Sequence, residues 1–517
     1  MPRLVVLALC LLVARSVVAD DSEPRGLVFR LELASSVADL RFSPDGTRLA
    51  VGTFDKLVEI FDVETGKLVA ACEGHGGRVT AVAWSPDQKT LATGCDDGSI
   101  RFWEAATGKH TGTIEDAHSQ GRHGHGVTTL GYFPDGASFY STGYDPRIRI
   151  WNAVTHKEIR CLAGHRDCAV ACLTPDGKHL VSTSQDGTAR VWDPATGATL
   201  VPLAFELDRA MSPHLGFPCV SPDGRWVYAG AGDGQMRSWA IPSGRPGPAW
   251  HAHGGFVGGI DVSPVGGLLV TGGQHPNGAL GIPDDSWDNK VRLWDARTGE
   301  RLLELGGHTM TVCRCRFSAG GARLATASWD RTVVVWDLAA LELSPEAVAL
   351  EGDESLWARL GESKGPRSWT AARALSSRPA RAVLVCDTRL RPVAPDPELP
   401  RTLERLIREL DDGAWAVRER AHVELVRLGI RAHAALRAAL AAAPSAEVRT
   451  RATRILETRV DWAPASEDER RWVRAVALLA EVGTPDAVRL LERLAGGDPS
   501  SALTERARAA LEATSRR

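Results

Sequence analysis

From Val312 to Phe317 apolar and polar side chains alternate, the period of a half-buried strand. Ser318-Ala319-Gly320-Gly321 then reads as a turn. Arg323 to Ser328 is a second strand, Asp330-Arg331 a tight turn, and Thr332 to Trp336 a third strand. The same grammar recurs upstream. Turns of one type stand at Ser43-Pro44-Asp45-Gly46, Ser85-Pro86-Asp87, Pro134-Asp135-Gly136, Thr174-Pro175-Asp176-Gly177, Ser221-Pro222-Asp223-Gly224 and Ser263-Pro264. Pro presets φ there and Gly accepts positive φ. After Asp337 the period changes to that of a helix. Leu403, Leu406, Ile407 and Leu410 share one face, as do Val417, Ala421, Leu425 and Leu428, which end at Gly429. Val448, Ala452, Ile455 and Leu456 follow the same rule. Thr484-Pro485-Asp486 reads as a helix start leading to Val488, Leu491 and Leu494.

Each β segment closes on an aromatic residue six positions after an Asp: Asp55/Phe61, Asp97/Trp103, Asp145/Trp151, Asp186/Trp192, Asp233/Trp239, Asp288/Trp294 and Asp330/Trp336. The pairs are about 41–55 residues apart, the period of a four-stranded propeller blade. The terminal Phe61-Asp62, Trp103-Glu104, Trp151-Asn152, Trp192-Asp193, Trp294-Asp295 and Trp336-Asp337, with Gly74-His75, Gly164-His165 and Gly307-His308, resemble the WD-repeat β-propeller family. Repeat five departs, with Trp239-Ala240 and no Gly-His before it. The resemblance covers residues 26–338 and implies an all-β seven-bladed propeller. The seventh repeat supplies only three strands, so Leu27 to Leu33 is expected as the outer strand of the last blade, closing the ring. The helical third, with Ala416-Val417-Arg418 and Glu447-Val448-Arg449, is similar to HEAT-type repeats, implying an all-α HEAT-like stack over 401–517. Residues 339–400 read as a helical section and a Pro-rich linker.

The formal net charge is -3 and the pI about 6.6, so no basic face marks a nucleic-acid partner. Residues 1–19 read as an export signal: Arg3, an apolar run from Leu4 to Val13, then Val17-Val18-Ala19 before Asp20. An exported, periplasmic or envelope-associated protein with no membrane insertion is the corresponding expectation. Nine Cys follow, most on strand patterns where Cys acts as a small hydrophobe. Cys161 with Cys168 or Cys172 is the pair best placed for a disulfide.

Ser, His and Asp recur together as His165/Ser184/Asp186/Trp192, His253/Ser286/Asp288/Trp294 and His308/Ser328/Asp330/Trp336. A nucleophilic triad has these residue types. Their recurrence around the ring, and the family resemblance, instead imply a buried hydrogen-bond chain in each blade. Such a family also directs the residue before each Asp to the channel rim: Phe54, Asp96, Tyr144, Gln185, Gly232, Trp287 and Trp329. Trp287, Trp329 and Phe54 would form an aromatic arc across blades six, seven and one, with Tyr144 across the mouth. Aromatic anchors dominate interfaces energetically. Insertions at Ala117 to Gly126, Phe205 to His214 and Gln274 to Trp287 fall on the same face by the family's loop geometry.

His118, His123 and His125 have the chemistry of a metal site, and Asp284, Asp285, Asp288 and Asn289 that of a calcium site. His123 fits blade three's own set, ten residues before its turn, and Asp288 belongs to the repeat. No metal and no cofactor are therefore expected. The leading reading is a non-enzymatic scaffold that binds a protein, peptide or glycan on the top face, with the helical domain as a second surface. The alternative is a propeller hydrolase or carbohydrate-active protein using top-loop His and Asp residues such as His118 and Asp285.

Overall fold

The computed structural model describes residues 24–118, 126–203, 215–265, 267–274, 288–362, 365–392, 398–428, 430–442, 445–457, 467–498 and 501–515. The chain divides into two compact units, Met1–Glu342 and Leu343–Arg517.

The first unit is a seven-bladed propeller. Blade one is β2 (Val37–Phe42), β3 (Arg48–Thr53), β4 (Val58–Asp62) and β5 (Leu68–Cys72), antiparallel in sequence order. Blades two to six repeat this as β6–β9 (79–114), β10–β13 (127–163), β14–β17 (169–203), β18–β21 (215–251) and β22–β25 (257–305). Blade five, for all its departures in sequence, is a complete four-stranded sheet. Blade seven takes β26 (Val312–Phe317), β27 (Arg323–Ser328) and β28 (Thr332–Asp337) from the end of the unit. Its fourth strand is β1 (Leu27–Glu32), with Leu27 opposite Trp336 and Glu32 opposite Thr332. The N-terminal alternation is thus the closing strand, and blade seven has its full complement.

The turn chemistry is local. Ser43 Oγ donates to Asp45 Oδ1 at 2.6 Å, Thr47 N–H donates to the same oxygen at 3.0 Å, and Gly46 takes φ of 74°. Ser221, Asp223 and Gly224 repeat this arrangement. The core lies between blades. Phe29, Leu31, Leu40, Leu49, Phe61, Val333 and Val335 form one cluster spanning blades seven and one. Glycines at the ends of second strands let the next blade approach: a Cβ on Gly94 would stand 2.5 Å from Val127, and one on Gly272 2.6 Å from Val312.

All nine described cysteines are free thiols. The expected pairing of Cys161 with Cys168 or Cys172 does not form. Cys161 lies on the outer strand of blade three, and Cys172 on the inner strand of blade four.

The second unit is all-α. Helices Asp353–Gly361, Pro366–Ser376 and Pro379–Arg389 share one core with Glu467–Val482, Pro485–Ala495 and Ala502–Ser515. Helices Leu399–Glu409, Trp415–Leu428, Ile430–Ala441 and Ala446–Glu457 build a second. The expected division at residue 400 is therefore not the division of the cores. A solenoid packs each repeat only on its sequence neighbours, whereas Glu467–Val482 packs back on Asp353–Gly361. Arg373 and Glu481 tie the two segments with paired bonds of 2.6 and 2.7 Å.

Leu31 is 1% exposed in the closing core. Leu31→Ala should cost about 2–5 kcal/mol. Chemical denaturation of the full chain checks this; an unchanged midpoint for the propeller transition would show that closure carries no stability.

Candidate functional site

Within five blades a hydroxyl on the second strand joins the closing Trp to a His from the preceding loop. In blade four, Trp192 Nε1 donates to Ser182 Oγ at 2.7 Å, and His165 Nε2 meets the same oxygen at 2.6 Å. Thr326 does this for Trp336 and His308, at 3.2 and 2.8 Å. Thr271 does it for Trp294 and His253, at 2.8 and 2.7 Å. Ser141 joins Trp151 to His118, and Thr93 joins Trp103 to His75. On its other side His118 Nδ1 stands 2.9 Å from Asp145, His253 Nδ1 3.0 Å from Asp288, and His165 and His308 each 3.4 Å from Asp186 and Asp330. The histidines and hydroxyls of these sets are buried and hydrogen-bonded, leaving none of those hydroxyls free to act as a nucleophile, while one buried oxygen, Asp288 Oδ1, has no partner.

The hydroxyl is not the one expected. Ser184 and Ser328 lie two residues nearer the turn, on the same face of the strand but at its end, where they meet the loop backbone instead of the Trp. Ser184 donates to Asp167 O at 3.1 Å and Ser328 to Met310 O at 3.2 Å, and each accepts the N–H of its own turn Asp. Ser286, with Trp287, Asp284 and Asp285, lies outside the described residues, and Thr271 fills the hydroxyl's place in blade six. In blade three His118, not His123, occupies the histidine position; His123 and His125 lie outside the described residues. The ten-residue spacing fails there because the loop is longer. His118 is fully buried, which removes it from the alternative catalytic reading.

A further element escaped notice. Arg101, Arg149, Arg237 and Arg292, each two residues before a Trp, return to the turn Asp four positions earlier at 2.6–3.0 Å. The signal was an Asp-x-x-x-Arg-x-Trp spacing. In blade five Arg237 holds Asp233 through two bonds, at 3.1 and 2.6 Å, in a repeat whose sequence has no preceding Gly-His pair.

Among the described residues six backbone registers lead to the rim on the opposite side from the Ser-Pro-Asp turns. The N–H groups of Phe54, Asp96, Tyr144, Gln185 and Trp329 each donate to the residue preceding an inner strand, at 3.0–3.1 Å. In blade six Gln274 makes that bond, to Phe256 O at 2.8 Å. Thirteen residues, 275–287, outside the described residues, separate Gln274 from Asp288 in the sequence, so counting back from the Asp gave Trp287 where the register gives Gln274. From blade seven to blade three the rim residues are linked. Ser36 Oγ donates to Trp329 O at 2.9 Å while Ser36 O accepts from Phe54 N–H. Arg78 lies over the Phe54 ring at 5.2 Å and pairs with Asp96 at 3.0 Å. Burial raises the Tyr144 pKa, with Cys168, Arg78 and Asp96 as its charge neighbours. Phe54, Asp96, Tyr144, Gln185 and Trp329 are all half-buried.

The family model "WD domain, G-beta repeat" matches residues 66–104, 117–152, 156–193, 210–240 and 299–337, and the "Anaphase-promoting complex subunit 4 WD40 domain" model matches 26–77. This is a WD40-repeat propeller. Eukaryotic translation initiation factor 3 subunit I of Phaeosphaeria nodorum is 30% identical over 107 residues, 21% of this chain and 28% of that protein. Pre-rRNA-processing protein IPI3 of Mycosarcoma maydis is 36% identical over 66 residues, 13% of this chain and 11% of the relative. Nuclear distribution protein nudF of Aspergillus flavus is 38% identical over 80 residues, 15% and 16%. The match thus spans less than a third of each relative. These relatives are eukaryotic proteins named for translation initiation, pre-rRNA processing and nuclear distribution. That finding overturns the expectation of an exported periplasmic protein; residues 1–19, on which it stood, lie outside the described residues. The acidic balance also loses its force against nucleic-acid partners, since relatives of this WD40 propeller carry names from RNA-centred processes.

Thr326→Val strands the Trp336 and His308 nitrogens of the WD40 propeller's blade seven and should cost about 1–3 kcal/mol for each orphaned group; equilibrium unfolding measures it. Burial lowers His75 to about 4 and also lowers His118 and His253. A folded-state pKa below the unfolded value of ~6.5 gives stability that is complete above that pH and lost as pH falls toward the folded value. For Asp186, Asp288 and Asp330 burial pushes upward, but hydrogen bonds from His165, His253 and His308 hold them down, adding a second loss below about pH 4. The propeller's melting temperature should therefore fall from pH 6.5 downward; a flat profile to pH 4.5 would contradict the buried-neutral histidines.

Proposed function

We propose that the chain is a non-enzymatic interaction scaffold whose propeller rim captures a protein or peptide partner. One observation carries the reading: Trp329, Phe54, Arg78, Asp96 and Tyr144 lie in succession on blades seven, one, two and three. Half-buried aromatic side chains and the exposed Arg78 on one ring are the residue types that dominate interface energetics. Ser36 anchors the backbones of Trp329 and Phe54, and Arg78 is held by Asp96, which lowers the ordering cost of binding at those positions. The histidine, hydroxyl and aspartate groups that would suit catalysis are occupied in the blades. The WD40-repeat matches, one of them to a subunit of a translation initiation factor, support the coarser reading of an interaction scaffold. The same aromatic faces suit a glycan.

The helical unit is a second surface in this reading. Trp415 is 64% exposed and Val423 56% exposed on the helix Trp415–Leu428.

The triple variant Phe54→Ala/Tyr144→Ala/Trp329→Ala should lose partner capture at least tenfold with little change in melting temperature. Affinity capture with mass spectrometry, run beside a glycan array, is the measurement. Undiminished capture by the triple variant would refute the rim, and retention of glycans without proteins would reassign the partner.

A further inference from the structure

The inner strands carry a second ring of side chains at the other end of the channel. Arg41 of β2, Gly131 of β10, Cys172 of β14, Asp261 of β22 and Arg316 of β26 line one cavity of about 400 Å³ beside the turns at Ser43-Pro44 and Ala319. Gly131 makes the room: a Cβ there would stand 2.5 Å from the Tyr140 ring, which forms part of the wall. The Tyr140 hydroxyl is turned away, donating to Ala171 O at 3.1 Å. Trp84, Phe42 and Phe317 complete an apolar lining.

The charge in this cavity is unbalanced. Asp39, one level deeper, is already held by Arg314 at 2.9 Å and by Val82 N–H at 3.0 Å. Two guanidiniums on neighbouring blades, Arg41 and Arg316, are left against one carboxylate. That carboxylate, Asp261, accepts Phe317 N–H at 2.8 Å. Arg316 Nη1 donates to Ile260 O and Cys315 O, both at 2.8 Å, which fixes the guanidinium plane. Arg316 is 7% exposed, and its Nε is buried with no hydrogen-bond partner. Burial and then the neighbouring Arg316 charge lower the Arg41 pKa, as crowding of like charges does. A buried donor without a partner costs about 1–3 kcal/mol, so a ligand that satisfies it has a ready gain.

We propose that this lower opening is an oxyanion pocket, in which Arg41 and Arg316 hold the phosphate or carboxylate group of a small ligand. Guanidinium forks match both groups in shape and charge, and the cavity has the volume of a small-molecule site. It lies at the opposite end of the channel from the rim and does not depend on the rim's role.

Isothermal titration of the full chain with inorganic phosphate and with succinate, against sodium chloride at matched ionic strength, tests it. At least one oxyanion should bind saturably and raise the melting temperature where chloride does not. A phosphate response marks a phosphorylated ligand, and a succinate response a carboxylate. Arg41→Gln should weaken binding at least tenfold with the melting temperature of the free protein retained, and the exposed Arg245→Gln should leave binding unchanged. Absence of saturable binding by both anions, or equal affinity in Arg41→Gln, would overturn the proposal.

Discussion

A hydroxyl buried between a tryptophan and a histidine is the constraint on which five of the seven blades depend. Ser141, Ser182, Thr93, Thr271 and Thr326 each bind the Trp of the third strand and the His of the preceding loop. One side chain thereby fixes three pieces of chain that are remote in sequence. Because each group is buried, any member left unpartnered would carry a desolvation penalty. The loop cannot drift without exposing that penalty, so the blade's upper edge is rigid. Rigidity there is what allows side chains beside it, such as Tyr144 and Trp329, to hold a defined position.

Much of this was legible in the sequence because the propeller is repetitive. Seven Asp-to-aromatic spacings set the blade count, and the alternation of Leu27 to Leu33 announced the closing strand. What misled was counting within irregular repeats. Ser328 and Thr326 differ by two residues, and the Asp lies nearer in sequence to the wrong one of them. Register fixes which hydroxyl lies beside the Trp, and a spacing measured from the turn does not encode register. The same limit moved the blade-six rim position from Trp287 to Gln274 and the blade-three histidine from His123 to His118. In each case an insertion broke the count while the backbone bond kept its place.

The helical unit was less legible for a different reason. An amphipathic period tells which face of a helix is buried but not which helix covers it. Leu356, Leu360 and Leu375 are buried, as their pattern implies, yet their partners include Leu478 and Leu490, over a hundred residues away. The charge pattern in the propeller channel was equally silent in sequence. Arg41 and Arg316 read as ordinary polar positions on alternating strands, and only the closed ring places them side by side.

Closure by β1 has a consequence for how the molecule is made. The Leu27–Trp336 pairing joins the first strand of the propeller to the last. During synthesis from the N-terminus, β1 waits for a partner until β28 has emerged, and the growing arc carries a bare strand edge at each end. A contact of such sequence separation is slow to form, and exposed edges invite pairing with other chains. The propeller's period of greatest vulnerability to aggregation is therefore its assembly, and it ends when the last blade receives its oldest strand.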